Sequence, residues 1–237
     1  MKKITLFILC TMCLGHANAT MDHVTCVKWA MQQPLPNASK IGFCHHEYGD
    51  KNLGRKVLTE AAFKGDEEAF LQLVAFANKD PKISEEQLYN TVKEISATGL
   101  PMAQYVLGVF HYDGYGTPVN EELGTTYMRL AAKKKNSIYY LVGRTFEERG
   151  HPDHANLYWE LCAARDNVKC IHELAVSRFS GRGFKEKHYG MCRDLLEKGC
   201  SLGHEESCSF LKDLTEIENA CSNGLQKACD YLKKHGA

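Results

Sequence analysis

The stretch MAQYVLGVFHYDGYGTPVNEELGTTYMRLAAKKK, residues 102–135, restricts what this chain can fold into more than any other feature. Its first half places Ala103, Leu107 and Phe110 at i, i+4 and i+7, one face of a helix. Gly114, Gly116 and Pro118 stop that helix, and Asn120 can cap a second one with Glu121 and Glu122 in its first turn. Leu123, Tyr127, Leu130 and Ala131 then repeat the helical spacing. Ala103, Gly108 and Ala131 are small enough to let the two helices approach closely. The unit is a helix hairpin.

The hairpin recurs with wear. The Ala131-Ala132 pair has echoes at Ala61-Ala62 and Ala163-Ala164, and turns that end second helices fall near Gly65, Gly99, Lys135, Asp166 and Gly203. Residues 168–203 carry Gly181-Arg182-Gly183 where the first unit has Gly114-Tyr115-Gly116. Residues 136–167 lack that glycine pair, and Glu148-Arg149-Gly150-His151-Pro152 does the turning. Stacked hairpins of this length make an α-solenoid. The spacing predicts units at about 50–100, 102–135, 136–167 and 168–203, a compressed cap at 204–237, and an N-terminal segment at 20–49 that could cap the other end.

The pattern A-x3-LG…Y-x-G-x-G…AA within 102–135 resembles a Sel1-like repeat, a relative of the tetratricopeptide repeat. Good matches cover about 102–203, weaker ones 50–100, and the residues before them match no known unit. The resemblance implies an all-α, right-handed solenoid whose first helices line a concave surface.

Eleven cysteines occur, and nine lie beyond Cys10 and Cys13. Four pairs share the spacing C-x7-C: 162/170, 192/200, 200/208 and 221/229. Along one helix eight residues span about 12 Å, and a disulfide needs Cα atoms within roughly 7 Å. The chain must therefore reverse between partners. Asp166-Asn167, Gly203 and Asn223-Gly224 break three of the intervals, whereas Leu195-Leu196 continues a helix through the fourth. This pairs Cys162 with Cys170, Cys200 with Cys208 and Cys221 with Cys229, each joining one hairpin to the next. Cys192 is left outside. Each closed loop contributes about 2.5 kcal/mol on the chain-entropy model. Zinc sites use C-x2–4-C and thioredoxin-like sites C-x-x-C, and neither spacing fits. The staples are similar to those of the Helicobacter cysteine-rich proteins, secreted Sel1-like repeat proteins with one C-x7-C bridge per repeat. The chain departs from them at 102–135, which has no cysteine pair. Cys26 and Cys44 pair with each other, or one of them takes Cys192.

The start MKKITLFILCTMCLGHANAT reads as a signal peptide: Lys2 and Lys3, an apolar run from Ile4 to Leu14, and cleavage after Ala19. The chain is then periplasmic or secreted, which suits disulfides. With 29 basic and 29 acidic side chains it has no field to draw nucleic acid, and no other apolar run is long enough to span a bilayer.

Chemistry-bearing candidates are few. Cys44-His45-His46-Glu47 looks like a metal cluster, but adjacent histidines point to different faces, so exposed loop histidines are the plainer reading. His151-Pro152-Asp153-His154 reads as a turn. The cysteine-rich resemblance implies a β-lactamase or penicillin-binding activity, and Ser209-Phe210-Leu211-Lys212 fits S-x-x-K, but S-D-N and K-T-G partners are missing. No catalytic set, metal site or cofactor is expected. On the concave surface the resemblance implies, Tyr105, Tyr112, Tyr140, Arg144, His172 and Arg178 are placed to bind a protein or peptide, and Phe110 belongs to the core. The expectation is an exported binding scaffold, monomeric or linked as a dimer through Cys192. The alternatives are the β-lactamase activity and a thiol-redox partner.

Overall fold

The computed structural model describes residues 21–32 and 37–236, so the leader with its Cys10, Cys13 and Ala19 lies outside the described residues. Among the described residues the chain forms thirteen α-helices and no strand. It divides into two compact units, Met1–Met128 and Arg129–Ala237.

The first unit contains α1 (His23–Met31), α2 (Ala38–Tyr48), α3 (Lys51–Phe63), α4 (Glu67–Lys79), α5 (Glu85–Ala97), α6 (Pro101–Asp113) and the first part of α7 (Glu121–Lys134). Short polar residues start these helices, except α6, which starts at Pro101 after Leu100. Asp22, Asn37, Asp50 and Asp66 each accept a backbone N–H of the first turn, and Ser84 forms a capping box with Gln87. Asn120 caps α7 as the sequence predicts, accepting Leu123 N–H at 2.9 Å. Two of the helix pairs, α2/α3 and α6/α7, close on facing glycines. In α2/α3 a Cβ at Gly54 would fall 2.6 Å from the backbone nitrogen of His46. In α6/α7 a Cβ at Gly108 would fall 2.7 Å from the carbonyl oxygen of Gly124. The core is built from Leu58, Phe70, Val92, Ile95, Leu107, Phe110 and Met128.

The structure corrects the sequence reading in two places here. Hairpin packing begins with α2, inside the segment assigned to a cap, and not at residue 50. The buried face of α7 is Gly124, Met128, Ala131 and Ala132, while Leu123 and Leu130 are 37% and 44% exposed. Close helix approach needs small residues at the contact, so the leucines are displaced to its flank.

The second unit contains α8 (Asn136–Glu148), α9 (Pro152–Ala163), α10 (Val168–Ser180), α11 (Tyr189–Ser201), α12 (Glu205–Ser222) and α13 (Gln226–Lys234). Trp159 is its largest fully buried side chain, packed so closely on α8 that a Cβ at Gly143 would lie 2.2 Å from the indole nitrogen. The turns that end α9 and α11 run through Asp166 and Gly203 at positive φ, as Gly65 and Gly99 do after α3 and α5. Aspartate tolerates that conformation better than most residues.

The last hairpin departs from the pattern. With no glycine between 204 and 223, α12 runs on for 18 residues. The turn at Gly224 therefore lies between α12 and α13 rather than after a hairpin, and the third bridge sits inside the last hairpin.

Candidate functional site

The cysteines divide cleanly. Disulfides join Cys26 to Cys44, Cys162 to Cys170, Cys200 to Cys208 and Cys221 to Cys229, with Cα–Cα distances of 5.5, 5.9, 4.6 and 4.7 Å. One bridge ties α1 to α2, so stapling is not confined to the C-terminal half. Cys192 is a buried free thiol among Phe179, Tyr189, Leu196 and Leu214. Burial pushes its pKa up to about 12. A thiolate is what reacts, so Cys192 is expected to resist an aromatic disulfide reagent in the native protein and to react after denaturation. Rapid native labelling would contradict this environment and would reopen the dimer and redox readings.

The six residues expected on the concave surface meet different fates. Tyr105 is 7% exposed and belongs to the core, as Phe110 does, because α6 is buried along most of its circumference. Tyr112 is half-buried, with its backbone and Cβ against Gly124. Tyr140 and Arg144 lie one turn apart on α8, half-buried beside α10. Arg144 lies 3.3 Å from Glu148 and 3.6 Å from Glu173. Arg182 pairs with Glu147 and lies 3.8 Å from Glu173. The Lys169 ammonium sits 5.7 Å from the Tyr140 ring centroid. Burial and then Glu173 push the Tyr140 hydroxyl above the usual tyrosine pKa, and burial pushes Glu147 up against the pull of Arg182. This row is a charge lattice in which Arg144 and Arg182 already have carboxylate partners. Arg178 bonds Glu160 at 3.0 Å and stacks 3.6 Å over Phe184. His172 contacts Ser207 and His204.

Sequence reasoning missed a groove in the first unit. It has a volume of about 570 Å³ and is walled by Arg55, Lys56 and Thr59 of α3 and by Gln87, Asn90 and Thr91 of α5. Leu73 and Ala77 of α4, with Leu88 of α5, make a buried apolar floor, and Lys82 and Ile83 of the α4–α5 loop close one end. Arg55 is paired with Asp80, whose pKa is lowered first by the Lys82 backbone N–H and then by Arg55. Lys56 and Lys82 form no ion pair among the described residues, and no carboxylate lines the groove. Only the composition of residues 79–82 hinted at it, since contributions come from three helices and a loop. A second hollow of about 470 Å³ lies between α12 and α13, where Asp213 and Glu216 flank Ile217, Leu225 and Tyr231.

The remaining candidates resolve into structure. His45 and His46 lie within α2, not in an exposed loop as expected. His46 stacks on Phe76 with centroids 3.7 Å apart, and His45 Nδ1 lies 2.9 Å from His23 Nε2. His151 and Pro152 start α9. Ser209 is exposed, and Lys212, itself exposed, leans toward Glu216 at 3.9 Å, so this S-x-x-K stands on an open helix surface. No cluster of three or more His, Cys, Asp or Glu side chains among the described residues could hold a metal ion. No helix among them is long and apolar enough to cross a membrane.

The chain adopts the Sel1-repeat fold. It is similar in structure to a Sel1 repeat protein from Oxalobacter formigenes, with a TM-score of 0.52 and 22% identity over 79% of this chain and 58% of that one. It also resembles a protective antigen of uropathogenic Escherichia coli strains that displays an SLR fold, with a TM-score of 0.47 and 17% identity over 91% of this chain. The chain thus spans 58% and 56% of the lengths of those two proteins. No protein-family model and no curated protein matches it.

Proposed function

We propose that this chain is an exported binding scaffold that holds an acidic, aliphatic segment of a partner protein in the groove between α3 and α5. The Sel1-repeat fold supports a protein-binding role in general. The observation that carries the specific reading is the chemistry of the groove: an apolar floor under a rim with Arg55, Lys56 and Lys82, hydroxyls and amides along the walls, and no lining carboxylate. Apolar area gives such a site its affinity, and the few polar groups fix orientation. Aliphatic side chains would rest on Leu73, Ala77 and Leu88, and carboxylates would meet Lys56 and Lys82. Tyr112, Tyr140, Arg144, His172 and Arg178 are not among the residues that line this groove. Four disulfides are compatible with an oxidising compartment outside the cytoplasm.

The test is fluorescence anisotropy with a labelled Asp-Leu-Asp-Leu-Asp peptide, set against the same peptide with lysine for aspartate. Binding of the acidic peptide alone is expected. Lys56→Glu with Lys82→Glu should weaken it about tenfold or more, on the order of 1.4 kcal/mol. Both lysines are exposed, so the double variant should keep the wild-type unfolding curve. Equal binding of both peptides, or an unchanged affinity in the double variant, would remove the groove from consideration.

A further inference from the structure

Ser207 is fully buried near the start of α12, and two imidazoles converge on its hydroxyl. His172 Nδ1 reaches it from α10 at 3.1 Å, and His204 Nδ1 from the N-cap of α12 at 2.9 Å. The Ser207 backbone N–H also donates to His204 Nδ1, at 3.3 Å. A nitrogen that accepts an amide proton cannot carry one, so His204 must be neutral, with its proton on Nε2 facing Glu206 Oε2 at 3.3 Å. The serine hydroxyl has a single proton to give. It goes to one imidazole, and the other must donate to the serine oxygen or leave it.

Acid therefore breaks this arrangement in a defined way. A proton on His204 Nδ1 sets two N–H donors against each other at the cap. It also places a cation at a helix N-terminus, where the dipole disfavours positive charge. The His172 ring is only 5.0 Å away, so a second proton there adds repulsion. The charged groups facing the cluster are Glu173 and Lys169 on α10 and Glu206 on α12. Glu206 is largely exposed, so its countercharge is diluted by solvent. Burial first, and then His204, hold His172 below the usual histidine pKa, against Glu173 and Glu206. A histidine whose folded pKa is lowered contributes stability above its unfolded value, about 6.5, and that contribution is lost as pH falls below it.

Two further features fit a latch better than an incidental cap. Gly199 of α11 clears the space, since a Cβ there would stand 2.6 Å from Ser207 Oγ. The Cys200–Cys208 bridge spans the same turn and limits how far the chain there can move when the first turn of α12 opens. We propose that His172, Ser207 and His204 form an acid-operated latch: closed when both imidazoles are neutral, and open, reversibly, once His204 is protonated.

The experiment uses the full oxidised chain and reads amide hydrogen exchange in α12 at pH 7.5 and pH 5.0, corrected for intrinsic exchange. In the wild type, protection of the first-turn amides is expected to fall about tenfold on acidification, as for loss of a cap. His204→Asn, which caps without titrating, should keep its protection at both pH values. Ring-nitrogen NMR of the wild type gives a reading that needs no variant: His204 Nδ1 should be unprotonated at pH 7.5. A protonated Nδ1 at that pH, unchanged wild-type protection, or an equal loss in His204→Asn would each overturn the latch.

Discussion

Replacing Cys26 and Cys44 together by serine is expected to release α1 while α2 to α6 stay folded. The reason lies in how little else holds α1. It has nine residues, and its buried side chains are Cys26 and Ala30. Among the described residues, Met21, Val27, Ile41 and Tyr48 pack around the sulfurs, each partly exposed. A helix of nine residues is marginal in water by itself. Closing this loop contributes about 3 kcal/mol on the chain-entropy model. Hydrogen-exchange protection across 23–31 should therefore drop on the order of a hundredfold. The His23–His45 contact would go with it. At the opposite end α13 is built alike: nine residues, buried Ala228 and Leu232, and one bridge to α12. The variant without Cys200 and Cys208 should behave differently. There α12 still packs through Leu214, Phe210, Leu211 and Ile217, so it loses stability without detaching. Retained protection of 23–31 in the Cys26/Cys44 variant would show that packing, not the bridge, docks α1.

The contrast explains what could be read in the sequence. Turns were legible because they depend on single residues with a conformational reason: Gly65, Gly99 and Gly203 sit at positive φ at the positions the repeat spacing predicts. The exclusion of a bridge between Cys192 and Cys200 was legible because both fall on one helix, α11, which needs only local geometry. Features set by partners distant in sequence were not. The face of α7 that packs is chosen by Gly108 on α6, so a periodicity count assigned Leu123 and Leu130 to the wrong side. The groove in the first unit gathers residues spread from 55 to 91. Ser207 meets His172 across 35 positions, and neither residue carries a local signature of the other. Tyr105 is expected on the concave surface because the resemblance puts first helices there, whereas α6 is enclosed on nearly all sides.

Three glycine-to-alanine replacements should separate packing from backbone strain, and the largest effect belongs to Gly54. A methyl there meets only backbone: His46 nitrogen at 2.6 Å, Gly42 oxygen at 2.8 Å and His46 Cα at 2.8 Å. No side chain can turn aside, so α2 and α3 must separate. That shift also pulls His46 off Phe76 of α4. A cost of about 3 kcal/mol or more is expected, the upper range for overpacking. Gly65 has open space around it but a φ of +93°, so Gly65→Ala should cost only about 1 kcal/mol, from backbone strain. Gly190 lies within α11, with nothing within 4 Å of an added Cβ. Gly190→Ala should stabilise by roughly 0.5 kcal/mol, since alanine loses less chain entropy in a helix. Urea unfolding of the three variants reads the order directly. If Gly54→Ala fell no lower than Gly65→Ala, the close approach of α2 and α3 would not be what joins the first hairpin. A Gly190→Ala that matched Gly54→Ala would mean instead that α11 has a neighbour on its open face.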